Sequence, residues 1–328
     1  MQIHLIIILI LTTFLFLNSK NFAKFFELFD VPNEVRKIHS FPIPKVGGVI
    51  IFFGILLYFF SSSNYIQNID YIIFISFFFL IGLLDDLNNL SSSIRLLVCF
   101  IFIFIFLFFN PELRINDLLI FGKDIDLNFH LNFIIIIFIT SLCIMLLQHA
   151  INMIDGINGL CALFVLINFL YFKFNYFNDQ ADLFYIFLIL IFIFFNLLSK
   201  TFLGNSGSYL LSSILGYKIL LINSNELNLT SEKIFLVLLI PGVDMLRLFI
   251  VRIWNKKNPF RADSNHLHHL LLNYFNSNQT KTLLVYLIIS FVPILISSFN
   301  LLNDNYLILI SILVYVYIIY KLKFLKVD

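Results

Sequence analysis

Two adjacent carboxylates, Asp85 and Asp86, end an apolar run, YIIFISFFFLIGLL at 71–84. A helix in hydrocarbon does not end in a double negative charge without a use for it. The uses open to paired acids are a hard divalent cation, commonly shared with a substrate phosphate, or a proton. Taken alone, such a pair is equally well read as the point where the chain leaves the bilayer. Other polar clusters break the apolar sequence in the same manner. QHAINMIDGINGL at 148–160 carries Asn152, Asp155 and Asn158 three residues apart. On one helical turn or tight loop that spacing aims an amide, a carboxylate and an amide the same way. A glycine turn with a helix cap is the simpler account, and it covers Asn158 better than the other two.

FLGNSGS at 202–208 precedes a helical segment, so its backbone N–H groups can cradle an anion at the helix's positive end. A Gly-Asn-Ser-Gly run is also an ordinary turn. DMLRLFIVR at 244–252 holds Asp244 and Arg247 three apart, an intramembrane ion pair compatible with a role facing a site, and ends in Arg252. It leads into NPFRADSNHLHHLLL at 258–272, where His266, His268 and His269 follow Arg261 and Asp263. Three histidines in four residues beside a basic loop are hard to call incidental. Their spacing lacks the i, i+4 pattern of helical zinc pairs and no cysteine is near, so phosphate contacts made by the histidines alongside Arg252 or Arg261 fit better. VPNEVRKIHSFPIPKVGG at 31–48 adds basic residues and two glycines ahead of another apolar segment.

The elements that must position these clusters are set by composition. The chain of 328 residues is 60% hydrophobic and 12% charged, with a mean hydropathy of +0.97. Those values define a polytopic membrane protein. Apolar segments lie near 3–17, 46–60, 71–84, 94–109, 133–148, 160–174, 183–198, 208–222, 234–253, 282–299 and 305–320. The expected architecture is therefore all-α, with about eleven transmembrane helices in a single membrane domain over 1–328. The first segment lacks a basic leader and a cleavage site, and is expected to be retained as a helix. Alternating the connections puts fifteen lysines and arginines on one side against four on the other. That bias places the N-terminus outside and the C-terminus in the cytoplasm. All the polar clusters then face the cytoplasm, where they are expected to ring one active-site cavity. The net charge of +2 argues against a nucleic-acid partner. Cys99, Cys143 and Cys161, in or beside apolar segments, argue against a disulfide framework.

The ordered set HSFPIPKVGG, GLLDDLNNLSSSIRLL, NMIDGINGL, FLGNSGS, PGVDMLRLFIVR and NPFRADSNHLHHLL resembles the polyprenyl-phosphate N-acetylhexosamine-1-phosphate transferase family, over about residues 30–272. The resemblance implies transfer of a sugar-1-phosphate from a UDP-sugar to undecaprenyl phosphate at the bacterial plasma membrane, with release of UMP and a requirement for Mg2+ or Mn2+. It implies that Asp85 and Asp86 bind metal and activate the lipid phosphate, that Asn152 and Asp155 line the metal and nucleotide site, and that Asn158 lies near the uracil. His266, His268 and His269 match the family's loop for the diphosphate and sugar, and Lys45 with Gly47 and Gly48 its first cytoplasmic signature. A homodimer is compatible with this reading.

Two positions depart from the family pattern. Asn205 stands where an aspartate usually binds the metal, and Ser264 stands where arginine often precedes the histidines. An amide oxygen can coordinate Mg2+ without a formal charge, so weaker metal binding is expected. PIPKVGG and HLHH, in place of the peptidoglycan translocase's Thr-Pro-Thr-Met-Gly-Gly and Pro-His-His-His, place the chain nearer the polysaccharide-initiating branch. The donor expected there is a UDP-N-acetylhexosamine such as UDP-GlcNAc. The alternatives are a catalytically impaired homologue that binds lipid phosphate or nucleotide, and a secondary transporter. The latter is disfavoured because transporter sites lie near the midplane, in repeats.

Overall fold

Long apolar stretches in hydrocarbon must satisfy their backbone groups internally, so they fold as helices. In a computed structural model, which describes residues 3–32, 41–61, 69–120, 123–127, 131–176, 180–224, 229–258 and 264–324, each of the apolar segments falls on a helix. Five helices among the described residues are long and apolar enough to cross a membrane: α5 (Ser92–Phe109), α6 (Phe133–Ile154), α10 (Ser231–Trp254), α12 (Gln279–Ser298) and α13 (Asp304–Phe324). A sixth is counted if α1 (Ile3–Leu17) and α2 (Ser19–Phe26), bent by 75°, form one span. The apolar helices α3 (Gly47–Ser61) and α7 (Leu160–Asn175) are shorter, as is α8 (Gln180–Leu197) over its apolar part, Ala181–Leu197. At 1.5 Å per residue, an 18-residue helix reaches about 27 Å, close to the hydrocarbon thickness. The remaining helices are α4 (Ile69–Asn88), α9 (Gly204–Ser224) and the short α11 (Leu267–Tyr274).

The chain divides into two compact units, each built from two separate stretches. The first comprises Met1–Ser91 and Cys161–Tyr217. In it α1 packs on α3 and α8, and α3 packs on α4. Phe16, fully buried, stacks on Phe195 at 5.5 Å, and Tyr58 stacks on Phe184 at 4.6 Å. A short antiparallel strand pair, β1 (Phe29–Asp30) with β2 (Ile43–Pro44), sets Asp30 opposite Ile43 and delivers Lys45 to the start of α3. The segment before α9 is laid along β2 and the start of α3 by three backbone bonds: Phe202 N–H to the Pro44 carbonyl (2.8 Å), Gly47 N–H to the Phe202 carbonyl (2.9 Å) and Gly48 N–H to the Leu203 carbonyl (2.9 Å).

The second unit comprises Ser92–Leu160 and Lys218–Asp328. Here α5 packs on α6, α6 on α10, α10 on α12 and α13, and α11 on α12 and α13. Helix ends are closed locally. Asn132 and Thr230 cap α6 and α10 by accepting from Ile134 N–H (3.0 Å) and Lys233 N–H (3.2 Å). The Arg114 guanidinium donates to the Leu107 and Phe108 carbonyls at the end of α5, both at 2.9 Å. A hairpin of β3 (Asp117–Ile120) and β4 (Lys123–Asp126) runs antiparallel, with Asp117 opposite Asp126.

Candidate active site

The first unit holds the acidic cluster. Asp85 and Asp86 lie in the last turn of α4; Asp85 is buried and the Asp86 side chain is closed from solvent. The Asp86 carboxylate accepts from Asn205 N–H and Ser206 N–H, each at 2.9 Å, and pairs with Lys45 Nζ at 3.2 Å. The helix start in FLGNSGS thus does hold an anion, and that anion is the chain's own Asp86, seated where N–H groups and the helix dipole favour negative charge. Gly204 permits this: its φ is 76°, and a side chain there would meet Asp86 Oδ2. Asp85 Oδ2 accepts from the Asn205 side-chain Nδ2 at 2.7 Å. An amide oxygen turned to a carboxylate at that distance would be repelled, so Asn205 presents its NH2 group. Beside it the Ser206 hydroxyl is fully buried without a hydrogen-bond partner.

This donor set fits a hard cation. Mg2+ commonly takes one or two carboxylates and completes its shell with water and substrate phosphate. Asp85 and Asp86 supply the carboxylates, and the unpartnered Ser206 oxygen is a further polar atom at the same place. Asn205 joins such a shell only by turning its amide over.

The second unit holds the amide and histidine clusters. Asn152 lies in the last turn of α6, Asp155 is its C-cap and Asn158 follows in the turn before α7. All three are half-buried, whereas Ile151, Ile154 and Ile157 between them are buried, so the spacing of three does put the polar residues on one side. On α6 just before them, Gln148 is buried with neither amide atom hydrogen-bonded, and His149 Nε2 is likewise without a partner. His266 is the N-cap residue of α11, which carries His268 and His269. The His266 and His268 rings lie nearly parallel with centroids 5.8 Å apart, and those of His268 and His269 are 4.2 Å apart. His268 is 1% exposed, neither ring nitrogen has a partner, and it abuts Gly156, where any side chain would strike Nε2. Burial pushes its imidazole well below the usual histidine range, and His269 and His266 act in the same direction. The NMIDGING turn and the histidine helix are therefore brought together.

Asp244 and Arg247 form the expected pair at 2.8 Å, with more attached to it. Asp244 also accepts from Tyr315 OH (2.7 Å), His266 Nδ1 (2.9 Å) and Leu267 N–H (3.1 Å). Tyr315, on α13, was not singled out in the sequence, being one of 14 tyrosines in a highly aromatic chain. Arg252 is buried in the last turn of α10. Arg261 lies outside the described residues, as does Asp263.

Five helices long and apolar enough to cross a membrane define a multi-pass membrane protein, and each of its two units carries a polar cluster at helix ends. A sequence model of glycosyl transferase family 4 matches residues 68–223. The chain is 30% identical over 264 residues to an undecaprenyl-phosphate alpha-N-acetylglucosaminyl 1-phosphate transferase of Thermotoga maritima, covering 80% of this chain and 79% of that protein. It is 27% identical over 293 residues to the protein of the same name from Salmonella typhimurium, covering 85% and 78%. It is 26% identical over 278 residues to a probable undecaprenyl-phosphate N-acetylglucosaminyl 1-phosphate transferase of Bacillus subtilis, covering 79% and 74%. The chain belongs to glycosyl transferase family 4, the polyprenyl-phosphate N-acetylhexosamine-1-phosphate transferases.

Proposed function

We propose that this protein transfers an N-acetylhexosamine-1-phosphate from a UDP-sugar to undecaprenyl phosphate, releasing UMP and starting a lipid-linked cell-surface polysaccharide. The observation that carries this reading is the acidic cluster. A buried acid pair, anchored to the start of α9 through Asn205 and Ser206 and paired with Lys45, fits a cation and phosphate station, and the relatives' names state the acceptor lipid.

Phosphoryl transfer asks a protein mainly for alignment and charge neutralisation. An oxygen of the lipid phosphate attacks the sugar-bearing phosphorus, the bond from that phosphorus to the bridging oxygen breaks, and UMP leaves with the electron pair. Asp85 takes the proton of the attacking phosphate when that group arrives protonated, or an aspartate first forms a covalent phospho-sugar intermediate. Mg2+ or Mn2+, when bound, neutralises charge on the diphosphate, and Asp85 and Asp86 would hold it. Lys45, Arg252 and Arg261 hold phosphate oxygens by charge. Asn152, Asp155 and Asn158 receive the nucleotide, and His266, His268 and His269 face the diphosphate and sugar. Because all act on one diphosphate, the reaction requires the single cytoplasm-facing cavity expected from the sequence.

The proposed setting is a bacterial plasma membrane crossed about eleven times, with the N-terminus outside and the C-terminus inside. The 75° bend before α2, with Lys20, Lys24, Phe25 and Phe26 exposed, suits a helix lying in the headgroup region. The second reading is an impaired homologue that binds lipid phosphate or nucleotide, motivated by the Asn205 amide bonded to Asp85. One assay separates the two. Purified protein, undecaprenyl phosphate and Mg2+ are offered a panel of UDP-sugars and UMP is measured; UMP with a UDP-N-acetylhexosamine supports the transferase. Retained nucleotide binding with no UMP from any donor supports the impaired homologue.

A further inference from the structure

The histidine cluster is held by a network whose hydrogen count is fixed. Asp244 receives four donors: Arg247 Nη2 and Tyr315 OH on Oδ1, His266 Nδ1 and Leu267 N–H on Oδ2. Tyr315 OH also accepts from Arg247 Nε at 2.7 Å, and Arg247 Nη2 reaches the Asn265 carbonyl at 2.7 Å, directly before His266. The Tyr315 hydroxyl has one proton, and Arg247 is always a donor, so that proton must go to Asp244. Leu267 N–H is also only a donor. A carboxylate fits this set because it alone accepts on both oxygens.

His266 Nδ1 faces one of those oxygens and must therefore carry hydrogen. The other nitrogen follows from charge. Asp244 contributes one negative charge, Arg247 one positive charge, and Tyr315 none. The buried group is already neutral with an uncharged imidazole, and a second proton on His266 would leave a net positive charge beside His268, whose burial already disfavours one. Asp244, 3% exposed at its side chain, occupies Nδ1, and the His266 side chain is 9% exposed.

We propose that Asp244, with Arg247 and Tyr315 holding it, is a positioning residue that fixes His266 as the Nδ1–H tautomer, so that Nε2 is a hydrogen-bond acceptor. An acceptor repels phosphate oxygens. It recognises a hydroxyl or the acetamido N–H of the hexosamine, which separates His266 from the phosphate-contact role expected of the histidines as a group. This inference rests on the transferase reading for its ligand but not for its geometry.

The test has two parts on the full chain in lipid nanodiscs. The first is 15N NMR of histidine-labelled protein, with the His266 signals identified by their loss in His266→Gln. The expected spectrum shows Nδ1 protonated and Nε2 bare; a protonated Nε2 overturns the proposal. In Asp244→Asn the amide oxygen is drawn to Arg247 and the NH2 group turns to His266 Nδ1, so the bare nitrogen should become Nδ1. If that variant does not fold, the wild-type spectrum still decides. The second part compares kcat and KM for donor sugars lacking single hydroxyls or the acetamido N–H. One analogue should lose on the order of tenfold in kcat/KM with the wild type, the effect of one hydrogen bond, and that loss should vanish in His266→Ala. Equal losses in both proteins for every analogue overturn the sugar assignment. Failure of the wild type to release UMP from any donor would sink the transferase reading, while the tautomer result would still stand or fall on the spectrum.

Discussion

Asn205→Asp is the substitution whose outcome the geometry constrains most. It replaces an N–H donor that lies 2.7 Å from Asp85 Oδ2 with a carboxylate oxygen. Two unit charges about 4 Å apart repel by about 4 kcal/mol at an effective dielectric near 20. The alternative is for one acid to take a proton, and holding an aspartic acid of ordinary acidity protonated at neutral pH also costs about 4 kcal/mol. The lost charge-assisted hydrogen bond adds about 2 kcal/mol. A divalent cation between the two acids removes the repulsion, so the variant's stability should become cation-dependent. Saturation to about 100 times the dissociation constant returns about 2.7 kcal/mol through binding to the folded state alone. Thermal unfolding of detergent-solubilised protein, in EDTA and across a Mg2+ titration, reads this directly. The expected result is a variant less stable than the wild type in EDTA, with a larger rise in Tm on adding Mg2+ and a lower metal concentration for half-maximal rate. Identical Mg2+ responses in the two proteins would refute the reasoning, because Asn205 would then lie outside the cation's reach.

Asp85→Asn and Asp86→Asn should each abolish UMP release, and Asp86→Asn should also lower stability by about 2 kcal/mol, since Asp86 holds two N–H groups and Lys45; a Tm equal to the wild type's for Asp86→Asn would contradict this. Gly156→Ala should cost about 1–3 kcal/mol by driving a methyl into His268 Nε2, and His268→Ala in the same chain should recover most of it by denaturation midpoint. His268 is depressed below its unfolded value by burial, so the folded state resists the proton that the unfolded chain accepts. Its contribution is complete above about pH 6.5 and is lost as pH falls, by up to about 1.4 kcal/mol per pH unit. His268→Phe should flatten that stretch of the stability profile, and an unchanged slope would assign the acid sensitivity elsewhere.

How much of this was legible in the sequence depends on what a residue's letter encodes. Asp85, Asp86, Asn152, Asp155 and the histidines stood out because charge and amides are costly in apolar surroundings, and the same contrast located the helices. The role of the GNSG run as an anion seat was readable from its glycines and position. Its occupant was not, because the donors are the backbone N–H groups of Asn205 and Ser206, which every residue but proline has. Asp244–Arg247 was readable from helical spacing, whereas Tyr315 lies 71 residues from Asp244 and meets it only through the packing of α13 on α10. The division into two units, each from two separate stretches, left no mark in composition, since both are equally apolar. The short α3, α7 and α8 were read as spans from hydropathy, which does not report whether a helix of that length crosses alone.

Adjacent acids on one helix point about 100° apart, so a pair such as Asp85 and Asp86 cannot face one neighbour in the same way. The structure resolves them by partner. Asp86 is turned to the start of α9, where two N–H groups and the Lys45 ammonium compensate its charge without any cation. Asp85 is turned to the side chain at position 205. The identity of that residue therefore sets one of the contacts Asp85 makes: an aspartate there makes a carboxylate pair that favours a cation, and the asparagine makes a hydrogen bond instead. Asp86 is indifferent to the exchange, because it uses the backbone of residue 205 and not its side chain. An aspartate or an asparagine at 205 therefore leaves the backbone seat of Asp86 at the start of α9 unchanged, and the exchange acts on Asp85 through the side chain that meets its Oδ2.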